Sequence, residues 1–168
     1  MTNTSAPSTN HEAFDNAVRD LHHHVWEIRR DVCDELGTIG DARAVSYLIQ
    51  ALTDGVGAVR FAAATALGKL GDKSAIPALL ALLEDSRFGA YGPVIESLAN
   101  LKAYEAVPVF IRFLRDHDPR VRGLAANALM VITRQFIGFK AKGLEEERLA
   151  AIEQWEKWWE KNKATMLP

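Results

Sequence analysis

The stretch DGVGAVRFAAATALGKLGDKSAIPALLALLED, Asp54–Asp85, decides the fold, because its apolar positions recur through the chain at a constant step of 31 residues. Leu67 belongs to the row Leu36, Leu67, Leu98, Leu129, and Leu70 to the row Ile39, Leu70, Leu101, Ile132. Ala63 falls in line with Val32, Val94 and Ala125, and Val59 with Ile28, Ala90 and Val121. These four rows sit at relative positions 0, 4, 8 and 11, which is one face of a helix. The second half of the stretch carries a second set. Ala75 aligns with Ala44 and Ala106, Ile76 with Val45 and Val107, and Leu79 with Leu48 and Phe110. Leu80 then aligns with Ile49 and Ile111, and Leu83 with Leu52 and Leu114. Two helical faces per period describe a helical hairpin, and each hairpin leaves an apolar face that only its neighbour covers.

Working outward, the punctuation agrees with the periodicity. Gly40-Asp41 and Gly71-Asp72 stand between the two helices of their repeats. Glycine ends a helix in the left-handed conformation, and aspartate caps the amides that open the next one. Pro77 and Pro108 fall in the first turns of second helices, where a missing N–H costs little. Extending the register backward places Ala13, Phe14, Ala17, Val18 and Leu21 on the buried rows of a half-repeat from about Glu12 to His23. Residues 1–10 are polar and are expected to be a disordered tail. Forward, the register is lost after Thr133. A connector, Arg134 to Gly143, leads to a capping helix over 144–163, on which Leu149, Ile152, Trp155 and Trp159 form the expected buried stripe. The domain boundaries read as a half-repeat 11–24, repeats 25–54, 55–85, 86–116 and 117–143, and the cap.

Composition narrows the function. A net charge of -2 and a pI near 6.2 give no reason to expect nucleic acid or an anionic membrane as partner. No apolar run approaches the roughly 20 residues that span a bilayer. The N-terminus lacks the basic start and apolar stretch of a secretory signal. The cytoplasm is the expected compartment. A single cysteine, Cys33, excludes an intramolecular disulfide.

The segments DGVGAVRFAAATALG (Asp54–Gly68) and DHDPRVRGLAANAL (Asp116–Leu129) resemble HEAT repeats of the short phycobilisome-lyase type. The resemblance runs over roughly residues 12–160 and is specific for fold rather than for function. It implies an all-α fold, a right-handed α-α superhelix (HEAT-like solenoid) of about four 31-residue helical hairpins with N- and C-terminal capping helices. It also implies a ladder of hydrogen bonds between repeats, built from an Asp and an Arg six residues later. Asp54/Arg60 and Asp116/Arg122 match that pattern, whereas Asp85 is followed by Tyr91, and Arg29 is preceded by His23. On this reading the ladder is incomplete in repeats one and three. The Trp155–Trp158–Trp159 ending also resembles the close of many bacterial HEAT-repeat proteins.

Residues with chemical potential are few. Consecutive helical residues point about 100° apart, so His22, His23 and His24 do not converge on one metal and read as a turn. The His-Glu dipeptides of HEAT-type iron enzymes have one counterpart, His11-Glu12, at the N-terminal end. Cys33 shares a row with Ala64, Ile95 and Ala126 and reads as an inert core thiol. Phosphate loops, nucleophile elbows and paired carboxylates are not recognisable, so no catalytic residue, metal or cofactor is assigned. The tryptophans of the last helix read as a cover for the open end of the stack. Repeat three begins irregularly, with Arg87-Phe88-Gly89-Ala90-Tyr91-Gly92-Pro93, which shortens or bends its first helix.

The stronger functional signal is what the second helices leave outward. In HEAT-like solenoids these helices line the concave surface. The outward positions are Ser46, Tyr47 and Gln50, then Pro77, Ala78 and Ala81, then Pro108, Val109 and Arg112, with Asn16 and Arg19 on the half-repeat. Small or apolar residues on an exposed face mark an interaction site. Tyr47, Gln50, Pro77, Ala78, Ala81, Pro108, Val109 and Arg112 are therefore the expected partner-binding residues. The resulting expectation is a monomeric, non-enzymatic scaffold or adaptor that docks a partner protein. The second reading, implied by the resemblance, is a bilin lyase-like factor or subunit that handles phycobiliprotein chromophores. A HEAT-like DNA-repair glycosylase needs a basic groove and a catalytic acid, and the stripe offers only Arg19 and Arg112.

Overall fold

The computed structural model describes residues 9–85 and 91–167. Among them are α-helices and no strand: α1 Thr9–Asp20, α2 Trp26–Ile39, α3 Ala44–Ala51, α4 Gly57–Leu70, α5 Ile76–Glu84, α6 Gly92–Asn100, α7 Val107–Phe113, α8 Pro119–Thr133 and α9 Glu145–Met166. The turns are those the sequence specifies. Gly40 and Gly71 take left-handed conformations, with φ of 74° and 76°, and their amides bond Leu36 O and Leu67 O. Asp41 Oδ1 accepts the Arg43 amide and Asp72 Oδ1 the Ser74 amide. In repeat three the left-handed position falls on Lys102, φ 53°, a conformation that costs a side-chain-bearing residue about 1–2 kcal/mol. Pro77 and Pro108 are the second residues of α5 and α7.

The central rows are core. Leu36, Leu67, Leu98 and Leu129 are buried, as are Val32, Ala63, Val94 and Ala125. So are Leu48, Leu79, Phe110, Leu52, Leu83 and Leu114. Rows near helix ends are less complete: Ile28, Ile39, Leu70 and Val121 are half-buried. Ala90 and most of the irregular start of repeat three lie outside the described residues; within them, α6 begins at Gly92 and is shorter than α2, α4 or α8.

The chain divides into two compact units, Met1–Leu79 and Leu80–Pro168, with the boundary inside α5. In the first unit α2 packs along α4, α1 packs on α2, and α3 on α4. The close approach of α2 and α4 depends on Gly37. A Cβ there would lie 2.9 Å from both the Cα and the Cβ of Ala66, nearer than any side chain tolerates. Helix α1 starts at Thr9 and ends at Asp20, three residues upstream of the expected span at each end. In the second unit α8 packs on α6 and α7, and α9 lies against α7, where a fourth second helix would stand.

Two expectations are corrected here. Leu149 is 47% exposed rather than part of the cap's buried stripe, which consists of Ala151, Ile152, Trp155 and Trp159. The reason is local: Arg148 occupies the inward position of that turn and donates to Gly143 O at 2.6 Å, so Leu149 rotates outward. The second correction concerns the arginine ladder, whose rungs form through main-chain carbonyls. Arg29 donates to His23 O at 2.7 Å, Arg60 to Asp54 O, and Arg122 to Asp116 O at 2.7 Å. The residue six before the arginine thus contributes its backbone, and His23 serves as well as an aspartate. Repeat one has its rung. The aspartate side chain works in another direction: Asp54 receives Nε and Nη2 of Arg29, from the preceding repeat, at 2.7 and 3.0 Å. That paired hydrogen bond to Arg29 holds the Asp54 carboxyl below the usual carboxylate range.

Candidate functional site

The expected binding residues occupy α3, α5 and α7, and the two units present them separately. In the first unit Gln50 and Pro77 are exposed, and Tyr47 and Ala78 are half-buried. Tyr47 is held by an edge-to-face contact with Phe14 of α1, at 6.3 Å between ring centroids. The Phe14 ring also carries the Arg43 guanidinium over it at 4.2 Å, itself fixed by Asp41. Tyr47 and Gln50 line a cleft of about 280 Å³ with Leu21, His22, Ala51 and Asp54. Of the histidine run, His22 lines this cleft. His22 and His24 are exposed, His23 is half-buried and stacks on His24 at 4.4 Å, and His23 Nδ1 accepts the Val25 amide.

In the second unit Ala81, Pro108 and Arg112 are exposed. Arg112 reaches Glu84 at 3.6 Å, from α7 to α5. Val109 departs from expectation: it is 9% exposed and belongs to the core. A helix with a neighbour on one side buries the single stripe 107, 110, 111, 114. Helix α7 packs against both α8 and α9, so its buried arc is wider and takes in Val109. Pro108 and Arg112 line a cleft of about 330 Å³ together with Ile111, Arg115, Glu156 and Trp159. Sequence reasoning assigned Trp159 to the cap alone, yet it also borders this cleft. Across it Arg115 and Glu156 form an ion pair at 2.8 Å.

A third cleft, of about 390 Å³, escaped the sequence reading. It lies in the second unit, where Ala126 and Met130 of α8, Phe136 and Phe139 of the connector, and Trp155 of α9 come together. The available signal was the apolar triplet Phe136, Ile137 and Phe139 in a segment that belongs to no periodic row. The connector is tied down by Arg122, whose Nε donates to Ala141 O at 2.8 Å.

Cys33 is fully buried, and burial pushes its thiol up to about 12, far from the thiolate range. The native protein should accordingly react slowly with a thiol reagent such as an aromatic disulfide, and rapidly once denatured. Fast labelling of the folded chain would place Cys33 at the surface and reopen a chemical role. Among the described residues no group of three or more His, Cys, Asp or Glu side chains is placed to hold a metal ion, and no helix is long and apolar enough to cross a membrane. What the three clefts offer is shape, apolar surface and a few fixed charges, which is the equipment of binding.

The family described as HEAT repeats matches residues 18–89, and the single HEAT repeat matches residues 106–136. A chain in the complex of CpcE and CpcF of phycocyanin lyase from Nostoc sp. PCC7120 is similar in structure, with a TM-score of 0.67 and 30% sequence identity. The similarity covers 74% of this chain and 54% of that one, so this chain spans about half the length of the relative it matches. None of the curated proteins matches the sequence.

Proposed function

The chain belongs to the HEAT-repeat family, in its phycobilisome-lyase type, and from that premise we propose that it is a non-enzymatic module that docks a partner protein on the exposed positions of its second helices. The observation that carries this reading is the composition of those positions. Pro77, Ala81 and Pro108 are exposed where a merely solvated helix would carry lysine and glutamate. Tyr47 in the first unit and Arg112 in the second are the larger groups among these positions, each in contact with a neighbour, Phe14 and Glu84 respectively. Fixed side chains lose less freedom on binding, which favours association. The similar HEAT chain comes from a complex of two proteins, which supports a protein as partner.

The partner is to be recovered by native co-purification and its affinity measured for variants in each unit. Ala81→Glu adds charge to an exposed position, so the thermal melt should barely move. Binding should weaken at least about tenfold, because desolvating an unpaired charge costs more than about 1.4 kcal/mol. Tyr47→Ala reports on the first unit in the same assay. Unaltered affinity for both variants would sink the reading.

A second reading, a role in attaching or removing a bilin, is supported by the phycocyanin-lyase neighbour. Mixing the protein with a free bilin and recording the visible spectrum separates the two: a shifted absorption band favours the chromophore-handling role, and an unchanged spectrum the protein-binding one.

A further inference from the structure

The 31-residue row His23, Asp54, Asp85, Asp116 carries an imidazole at its first position and a carboxylate at the other three. The position does two jobs. Its main-chain carbonyl receives the arginine six residues on: Arg29 on His23 O, Arg60 on Asp54 O, Arg122 on Asp116 O. Its side chain accepts the amide two residues on, which fixes the turn into the next helix. Asp54 Oδ1 takes the Val56 amide at 2.8 Å, and Asp116 Oδ1 takes the Asp118 amide at 2.7 Å. At the first position His23 Nδ1 takes the Val25 amide at 3.1 Å. Val25 opens α2 and supplies no capping bond from its own side chain. A carboxyl group keeps an oxygen acceptor in either protonation state, whereas an imidazole loses its acceptor nitrogen when it gains a second ring proton. Imidazoles as a class change charge between about pH 5 and 8.

We propose that His23 makes the junction of α1 and α2 an acid-sensitive latch: protonated at Nδ1, it gives up the Val25 amide and α1 loosens from α2, while the junctions turned by Asp54 and Asp116 hold. The bond is present at neutral pH and lost as the pH falls. A protonated His23 meets cations rather than free anions. His24 stacks on it at 4.4 Å, so acid sets two imidazolium rings face to face. Arg29, a permanent cation, donates to both His23 O and His24 O. Both oxygens of Asp54 are occupied, by Nε and Nη2 of Arg29 and by the Val56 amide. Cys33, close to Arg29 and Asp54, stays a thiol, its ionisation pushed up to about 12 by burial. The remaining titratable or charged groups about the junction are Arg19 and Asp20 at the end of α1, His22, Glu27 in the first turn of α2, and Tyr47 of α3. Asp20 and Glu27 are exposed, where solvent screens any attraction to an imidazolium. Helix α1 also carries Phe14, the ring against Tyr47, so its loosening releases Tyr47 in the cleft that it shares with Gln50. On the docking reading, mild acid then weakens the partner's hold on the first unit; the latch itself does not rest on that reading.

Amide hydrogen exchange of the free full chain, resolved by peptide and corrected for the intrinsic pH dependence of exchange, measures the opening. From about pH 7.5 to about pH 5.5 the amides of α1 should lose about tenfold of their protection, the scale of one part-buried hydrogen bond, while those of α4 and α8 keep theirs. His23→Asp installs the residue that the other repeats carry, and His23→Asn keeps a side-chain oxygen acceptor without a charge. Acid removes neither acceptor, so both variants should hold α1 protection within about twofold over the same range. His22→Gln should leave the wild-type response in place. Constant α1 protection in the wild type, an acid response that survives in either His23 variant, or one that disappears with His22→Gln would each overturn the proposal. No partner is present in this measurement, so its result and that of the docking assay are decided separately.

Discussion

Replacing Leu67 with alanine is expected to lower the free energy of unfolding by about 2–5 kcal/mol. Leu67 is 1% exposed and lies in the last turn of α4, the helix that both α2 and α3 pack upon. Truncation removes its transfer free energy and leaves a void whose walls are held by helices on two sides. The close contact between Gly37 and Ala66 keeps α2 and α4 at their separation, so the void has little freedom to collapse. Lys69, two residues on and exposed, is the control: Lys69→Ala should stay within about 0.5 kcal/mol of the wild type. Denaturant unfolding followed by helical circular dichroism measures both. A Leu67→Ala loss as small as that of the control would mean that the 31-residue register misplaces the core.

Arg122→Met is expected to cost about 2–4 kcal/mol, although methionine matches much of the arginine stem in volume. The guanidinium is 9% exposed as part of its residue and serves three main-chain acceptors: Asp116 O at 2.7 Å, His117 O at 3.0 Å and Ala141 O at 2.8 Å. Each carbonyl deprived of its donor in a part-buried site costs about 1–3 kcal/mol. Part of that sum is offset because a buried charge no longer has to be desolvated. Arg122→Lys separates charge from geometry. An ammonium keeps the charge but lacks the planar fork that reaches acceptors in two directions, so it should recover less than about half of the loss. A second readout follows from the contact with Ala141. With that bond gone the connector loses an anchor beside Lys140 and Lys142, and limited trypsin digestion should cut faster at both. Wild-type stability and cleavage in Arg122→Lys would show that charge alone matters at this position.

That arginine also shows where sequence reading stops. The rows of Leu67, Ala63 and Leu79, the Gly-Asp punctuation and the prolines of α5 and α7 were all legible. Each is a local matter: helical period, left-handed glycine and capped amides are decided within a few residues, and repetition averages out chance. The ladder motif was legible as an Asp–Arg spacing, but its chemistry was not. A main-chain carbonyl leaves no mark in the sequence, so His23 looked like a broken rung while its backbone completes one.

The candidate site divides along the same line. That Tyr47, Gln50, Pro77, Ala81, Pro108 and Arg112 lie off the core face follows from their phase against Leu48, Leu79 and Phe110, and the chain alone determined it. That Val109 is covered, Leu149 exposed, and Phe136 left beside a cleft with Trp155 was decided only in the folded molecule. Val109 is in register but sits on the helix that α9 covers, and Phe136, Leu149 and Trp155 lie beyond the 31-residue register, where α9 takes the place of a repeat. Their burial depends on which distant helix packs against them, and periodicity carries no information about a neighbour that breaks the period.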